Sequence, residues 1–309
     1  MLAWDKKNKL KILYYAPDVF FIKIFSTITK RFQKKEQAIL KFLKNQNPDY
    51  KNTINKEKKS IKPFNKVIWT LWWQGEKNAP KTVQITLERM KKVAERNAYK
   101  FVVLDQENIR NNVNIPEFVY EKLERKIISL QFFSDIVRLS LLAEHGGIWF
   151  DSTLFLHEEI DLSVFETEFT TIKITNAGEE SKNNISRCRW TGFCISSTPS
   201  SRYTVFLRDF ILSYTEKNNF LVDYFLLDYA IYLLYEADKE FKHVIDNMPL
   251  AIDNDNLFFF NYHGKEVFDA EKWEQLVIPI VKTTYRYEYG EIIKGTYLER
   301  FISSELNEA

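Results

Sequence analysis

The 309-residue chain holds only 8 glycines, 8 prolines, 3 methionines, 4 histidines and 2 cysteines. So little glycine, with no internal period, excludes a collagen-like or repeat array. Two cysteines are too few for a disulfide framework, and Cys188 and Cys194 lack the spacing of a zinc site. Six apart in "RCRWTGFCIS", they are expected on one face of a strand as buried thiols, in a reducing compartment. No apolar run reaches the roughly 20 residues that a bilayer span requires. No signal peptide is visible either. Lys6, Lys7, Lys9 and Lys11 precede "APDVFFIKIFSTI", but Asp18 and Lys23 interrupt that run and it lacks a small-residue cleavage site.

What is abundant is aromatic: 25 Phe, 16 Tyr and 7 Trp, in a chain that is 45% hydrophobic and can bury a large core. The net charge of +2 conceals an asymmetry. Residues 1–66 carry 17 of the 44 basic and 5 of the 42 acidic side chains, a net of +12, which leaves −10 for the rest. In this basic segment Phe20, Phe21, Ile24, Phe25 and Ile28 fall at helical spacing, with Lys23, Lys30 and Arg31 nearby. One reading is attachment to an anionic membrane surface, where each nearby basic residue contributes ~1 kcal/mol; the other is a helix packed on the main domain with a solvated basic face. Nucleic acid is not expected as a partner, because the aromatics lie on the apolar face rather than forming a stacking platform. Residues 44–66, rich in Lys and Asn with two prolines, read as a linker. Residues 1–65 are thus expected to be a helical basic extension and 66–309 the globular domain.

"KVIWTLWWQG" and "YKFVVLD" read as strands buried on both faces, with helices opening at Pro80 and Pro116. That alternation predicts an α/β domain with a mainly parallel sheet and a ligand site at the carboxyl ends of its strands. "SDIVRLSLLAEHGGIWFDST" (134–153) adds a helix apolar nearly all round, ended by Gly146 in a left-handed cap, then a strand that stops at Asp151. Asp135 and Arg138 share one face of that helix. Two charges beside a core cost more than their pairing returns unless both are used, so they read either as a structural pair or as contacts for a ligand rich in hydroxyls or phosphates.

The pattern S-D-x-x-R, an apolar helix and G-G-x-x-x-D resembles the signature of capsular polysaccharide synthesis glycosyltransferases. It is also similar to the wider sugar-transferring DxD group (glycosyltransferase family 32). "IWTLWWQGEKNAPKTV", "WTGFCISSTPS" and "VDYFLLDYAIYLL" extend the likeness over roughly 66–285. The resemblance implies a GT-A (Rossmann-like) nucleotide-sugar-binding domain and transfer with retention of configuration. It assigns Trp69, Gln74 and Gly75 to the base and ribose pocket, Asp135 and Arg138 to donor-sugar hydroxyls, and Asp151 to the ribose and a diphosphate-bound cation. The departure is Thr153, where the wider group has its second Asp; one metal oxygen becomes a weaker neutral donor. His263 is a candidate to complete a Mn2+ or Mg2+ site with Asp151 and Thr153, and Lys282 and Arg286 to clamp the diphosphate. Asp223 and Asp228 are candidate catalytic carboxylates on the following helix, with Asp223, at its start, preferred and an N-cap as its alternative role. The implied activity is transfer of a hexose from a UDP-sugar to a lipid-linked oligosaccharide in capsule or exopolysaccharide assembly, on the inner face of the cell membrane. Transfer to protein, or a non-catalytic nucleotide-sugar-binding subunit, are the alternatives.

Overall fold

A computed structural model describes residues 2–29, 32–54, 62–276, 278–287 and 292–303. The chain opens with three helices, α1 (Leu2–Tyr15), α2 (Pro17–Thr29) and α3 (Phe32–Gln46). The α/β unit then runs β1 (Val67–Leu71), α4 (Lys81–Arg96), β2 (Lys100–Leu104), α5 (Ile109–Asn112), α6 (Glu117–Glu124), α7 (Leu130–His145), β3 (Gly147–Phe150), β4 (Leu154–Leu156), β5 (Phe169–Thr171), β6 (Lys173–Thr175) and β7 (Cys194–Ser197). It closes with α8 (Arg202–Lys217), α9 (Leu226–Ala237), α10 (Lys239–Asp246), β8 (Ala251–Asp253), α11 (Asn254–Leu257), α12 (Phe259–Tyr262), α13 (Ala270–Gln275), β9 (Ile280–Lys282) and α14 (Tyr297–Ser303).

Five strands form the central sheet in the order β2-β1-β3-β7-β5. β1 pairs parallel to β2 and β3, while β7 runs antiparallel to both β3 and β5. Four of the five strands therefore point the same way, as the strand–helix alternation predicts. The pleat sends Ile68, Ile148, Phe150 and Cys194 to one face, against Val83, Leu87, Met90 and Val93 of α4. Trp69, Trp149 and Ile195 go to the other, against α7, α8 and α9. Burial on both faces is why these strands read as continuous apolar runs.

α7 is capped by Ser129, whose hydroxyl accepts from the Phe132 N–H, and ends at Gly146 with φ +67°. A Cβ at Gly146 would stand 2.5 Å from the Pro199 nitrogen, and one at Gly147, φ +95°, 2.5 Å from the Val67 carbonyl oxygen. The pair of glycines lets a fully packed helix turn straight into β3 and aims Asp151 along the sheet edge.

Two expectations need correction. Cys188 and Cys194 do not share a strand: residues 184–193 form turns, Cys188 has φ +62°, and only Cys194 lies in β7; neither is in a disulfide. The start of the expected linker is packed, with Tyr50 and Ile54 buried in the main core; residues 55–61 lie outside the described residues. The basic extension packs on the main domain, as one of its two readings has it. Ile12, Ala16, Val19, Ile39 and Leu43 join the cluster that contains Leu221, Val222 and Leu226, and the Asn8 side chain exchanges hydrogen bonds with Leu221. This inward stripe leaves another apolar face of α1 and α2 outside, with Leu10, Tyr14, Phe21 and Ile24 exposed. The side chains of Phe25 and Ile28, and Lys30 and Arg31 entirely, lie outside the described residues.

Candidate active site

The carboxyl ends of β1 and β3 and the amino end of the reversed β7 meet at one edge of the sheet, where they border a cleft of about 670 Å³. Each wall comes from a segment just beyond an element: Trp72, Trp73 and Gln74 after β1, Asp151 to Thr153 after β3, Gly192 and Phe193 before β7, and Lys282 and Tyr285 from the end of β9. α7 supplies Asp135 and Arg138, the turn into α9 supplies Tyr224 and Phe225, and the first turn of α9 supplies Asp228.

Arg138 organises the floor. Its guanidinium donates to Asp135 Oδ1 at 2.9 Å and to Asp151 Oδ1 at 2.8 Å, and lies 5.0 Å from the centre of the Trp149 ring. The Trp149 indole N–H donates to the same Asp151 oxygen at 2.9 Å. On the other side the Lys282 ammonium donates to Asp151 Oδ2 at 3.1 Å and to Thr153 Oγ1 at 2.8 Å. Burial acts to raise the Asp151 pKa, but the Lys282 and Arg138 charges and the two donated hydrogen bonds win, so the carboxyl lies below its usual range.

Two carboxyls are pushed the other way. Burial raises Asp135 to about 6 in spite of Arg138. Asp228 accepts from the Trp190 indole at 3.1 Å, and burial, with the nearby Asp135 charge, raises it to about 7. A cleft that holds one carboxyl ionised and another near neutrality has separated the two states that acid–base or charge-stabilising chemistry draws on. Two buried donors of its walls, the Trp72 indole N–H and the Arg138 Nε–H, have no partner among the described residues. Unmet buried donors are costly and mark where a ligand would bond.

The model of the family described as capsular polysaccharide synthesis protein matches residues 21–301. The chain belongs to that family. No curated protein matches it. The family match begins within α2 and ends within α14, so it takes in α3, the whole sheet and every residue of the cleft.

Of the residues that the resemblance to this family singles out, the fold brings Gln74, Asp135, Arg138, Asp151, Thr153, Asp228 and Lys282 together in the cleft. It takes five elsewhere. Trp69 is mid-strand and its indole donates to the Gly146 carbonyl oxygen at 2.9 Å, bracing the glycine turn; Trp72 and Trp73, past the strand end, stand where a base-binding aromatic was expected. Gly75 shapes the loop with φ +82° and does not line the cleft. Asp223 precedes α9, accepts from the Phe225 N–H, and is neutralised by Lys23 of α2 at 2.9 Å and Lys35 of α3 at 3.5 Å. It ties the helical extension to the cleft wall, and Asp228 alone of the two carboxylates faces the cleft. His263 packs against Phe259 and pairs with Glu266 at 2.8 Å, among the C-terminal helices. Arg286 lies beyond Tyr285, near enough to act on the Tyr224 hydroxyl.

The fit to a divalent cation is poor. Among the described residues no three His, Cys, Asp or Glu side chains gather as a metal would require. The carboxylate and hydroxyl that the resemblance offers, Asp151 and Thr153, are bridged by an ammonium group. A hard cation needs several oxygen ligands; one carboxylate already shared by two cations does not supply them.

Proposed function

We propose that this protein is a retaining glycosyltransferase of GT-A type that moves a hexose from a UDP-sugar to a lipid-linked oligosaccharide during capsule assembly. The observation that carries the reading is the convergence of Arg138, Asp135, Asp151 and Lys282 at the carboxyl edge of the sheet, below an aromatic wall that includes Trp72, Trp73 and Phe193. The aromatic wall suits a planar base, the Asp135–Arg138 pair suits the vicinal hydroxyls of a sugar, and the cationic side of Asp151 suits the diphosphate. Asp228, which also lines the cleft, takes the role of the carboxylate at the reacting carbon of the sugar in this reading, where it would stabilise oxocarbenium character. The acceptor hydroxyl then attacks from the side of the departing diphosphate, bonding to the sugar carbon as the bond to the diphosphate oxygen breaks, and that oxygen takes the acceptor's proton.

A lipid-held acceptor accords with the exposed stripe of Leu10, Tyr14, Phe21 and Ile24 on a segment of net +12, which favours an anionic inner membrane surface and peripheral attachment. Among the described residues no helix is long and apolar enough to cross a membrane. The test is release of UDP from a panel of UDP-sugars. Slow release from one donor, abolished by Asp151→Asn, is the expected result. A folded protein that binds a UDP-sugar but never releases UDP refutes the transferase reading and leaves a non-catalytic nucleotide-sugar-binding subunit; one that binds none refutes both.

A further inference from the structure

We infer that the Lys282 ammonium stands in place of a divalent cation and holds the donor's diphosphate without a metal. The identity of the ligand rests on the transferase reading; the placement of the charge rests on the fold.

Lys282 is the last residue of β9, opposite Leu154 of β4 in an antiparallel pair. Just past that pair, both the N–H and the hydroxyl of Thr283 donate to the Thr153 carbonyl oxygen, at 2.8 and 2.9 Å. The backbone of Lys282 is thereby fixed against the Asp151–Thr153 segment, although 129 residues separate Lys282 from Thr153. From this anchor the ammonium lies 4.8 Å from the centre of the Phe193 ring and reaches the Asp151 carboxylate and the Thr153 hydroxyl. An ammonium has three N–H donors. Two are engaged, and the side chain is 20% exposed on the cleft.

Thr153 completes the exchange. Its oxygen accepts from Lys282, so its own hydrogen is left to donate, which a carboxylate at this position would not offer. A second Asp at 153 would suit a dication; a threonine beside a lysine suits an anion directly. The cations already on Asp151 point the same way. Asp151 meets both Arg138 and Lys282. A dication brought to Asp151 would be repelled by both, whereas a diphosphate is attracted by both and can accept from the free ammonium N–H and the Thr153 O–H.

The test is calorimetric binding of UDP and of inorganic pyrophosphate, each with EDTA and with Mn2+, and Mn2+ paramagnetic resonance with and without UDP. Expected are affinities that change less than 2-fold between EDTA and Mn2+ and no protein-bound Mn2+ signal. Lys282→Met, which keeps the stem over Phe193, is expected to weaken both ligands at least 10-fold. If that variant fails to fold, Thr153→Val serves instead; it removes only the hydroxyl and is expected to weaken binding several-fold under EDTA. UDP binding that needs Mn2+, or affinity indifferent to both substitutions, overturns the inference and leaves the transferase reading standing. Pyrophosphate held through Lys282 without any UDP-sugar turnover does the reverse. If neither ligand binds under any condition, both fall.

Discussion

Asp228→Asn is expected to stabilise the folded protein above neutral pH while it impairs transfer. In the wild type, burial and the neighbouring Asp135 raise the Asp228 carboxyl from its ordinary 3.8 to about 7. The folded chain thus keeps a proton that the unfolded chain has released between about pH 4 and pH 7. Over that interval folded stability falls as pH rises, by about 1.4 kcal/mol per pH unit at most, and is flat above the folded pKa. The full penalty has a ceiling of ~4 kcal/mol, and solvent that enters the cleft reduces it to about 2 kcal/mol. Asparagine keeps the shape and still accepts from the Trp190 indole through its carbonyl oxygen; it removes the ionisation penalty and puts two amide N–H donors on the cleft where the protonated acid has one O–H. Urea unfolding of both proteins from pH 4.5 to 8.5 should give curves that nearly meet at the acid end and part progressively to a plateau above pH 7, with the variant the more stable. An advantage independent of pH, or one that shrinks as pH rises, refutes the reasoning. Loss of UDP release in the same variant at pH 8 would identify the strained carboxyl as one retained for chemistry rather than for folding.

Arg138→Met leaves Asp135 and Asp151 without the guanidinium they share, and should cost about 3–5 kcal/mol in urea unfolding at pH 8; a loss under 1 kcal/mol argues against a common partner. Asp223→Asn should loosen α2 and α3, seen as faster amide exchange, at a cost of about 1–3 kcal/mol at pH 7. Burial opposes ionisation of Asp223, but Lys23 and Lys35 bring its pKa below the usual range, so this stabilisation is present above about pH 4 and fades as pH falls through the lowered value. Equal exchange rates in variant and wild type would show that the tether does no such work. Phe21→Glu with Tyr14→Glu should leave Tm within about 2 °C and reduce co-sedimentation with vesicles of anionic phospholipid at least 10-fold; unchanged sedimentation excludes the exposed stripe as the membrane contact.

Much of the scaffold was legible because local chemistry dictates it. Prolines at 80 and 116 start α4 and α6, and the Gly146–Gly147 pair ends α7 and begins β3. Continuous apolar runs identify strands covered on both faces. Within the cleft, Asp135, Arg138 and Asp151 were visible for the same reason, since one helix, one turn and one strand contain all three. Trp69 was misassigned although the signal that corrects it is in the sequence: a strand residue belongs to the packed faces, and the ligand edge begins where the strand stops, at Trp72 and Trp73.

What local pattern does not carry is the partner that sets each carboxyl's charge. Asp223 and Asp228 lie five residues apart in one stretch, yet Lys23 and Lys35 arrive from the opposite end of the chain to neutralise the first, while burial and the Asp135 charge outweigh the Trp190 indole and leave the second near neutrality and open to the cleft. The same holds for Thr153. By itself it is a missing carboxylate; beside Lys282, brought in by the β4–β9 pair and the Thr283 hydrogen bonds, it accepts from an ammonium and forms half of the anion-binding pair we propose. The motif fixes where Asp151 stands, and long-range pairing decides whether the charge that completes it is a metal or an amine.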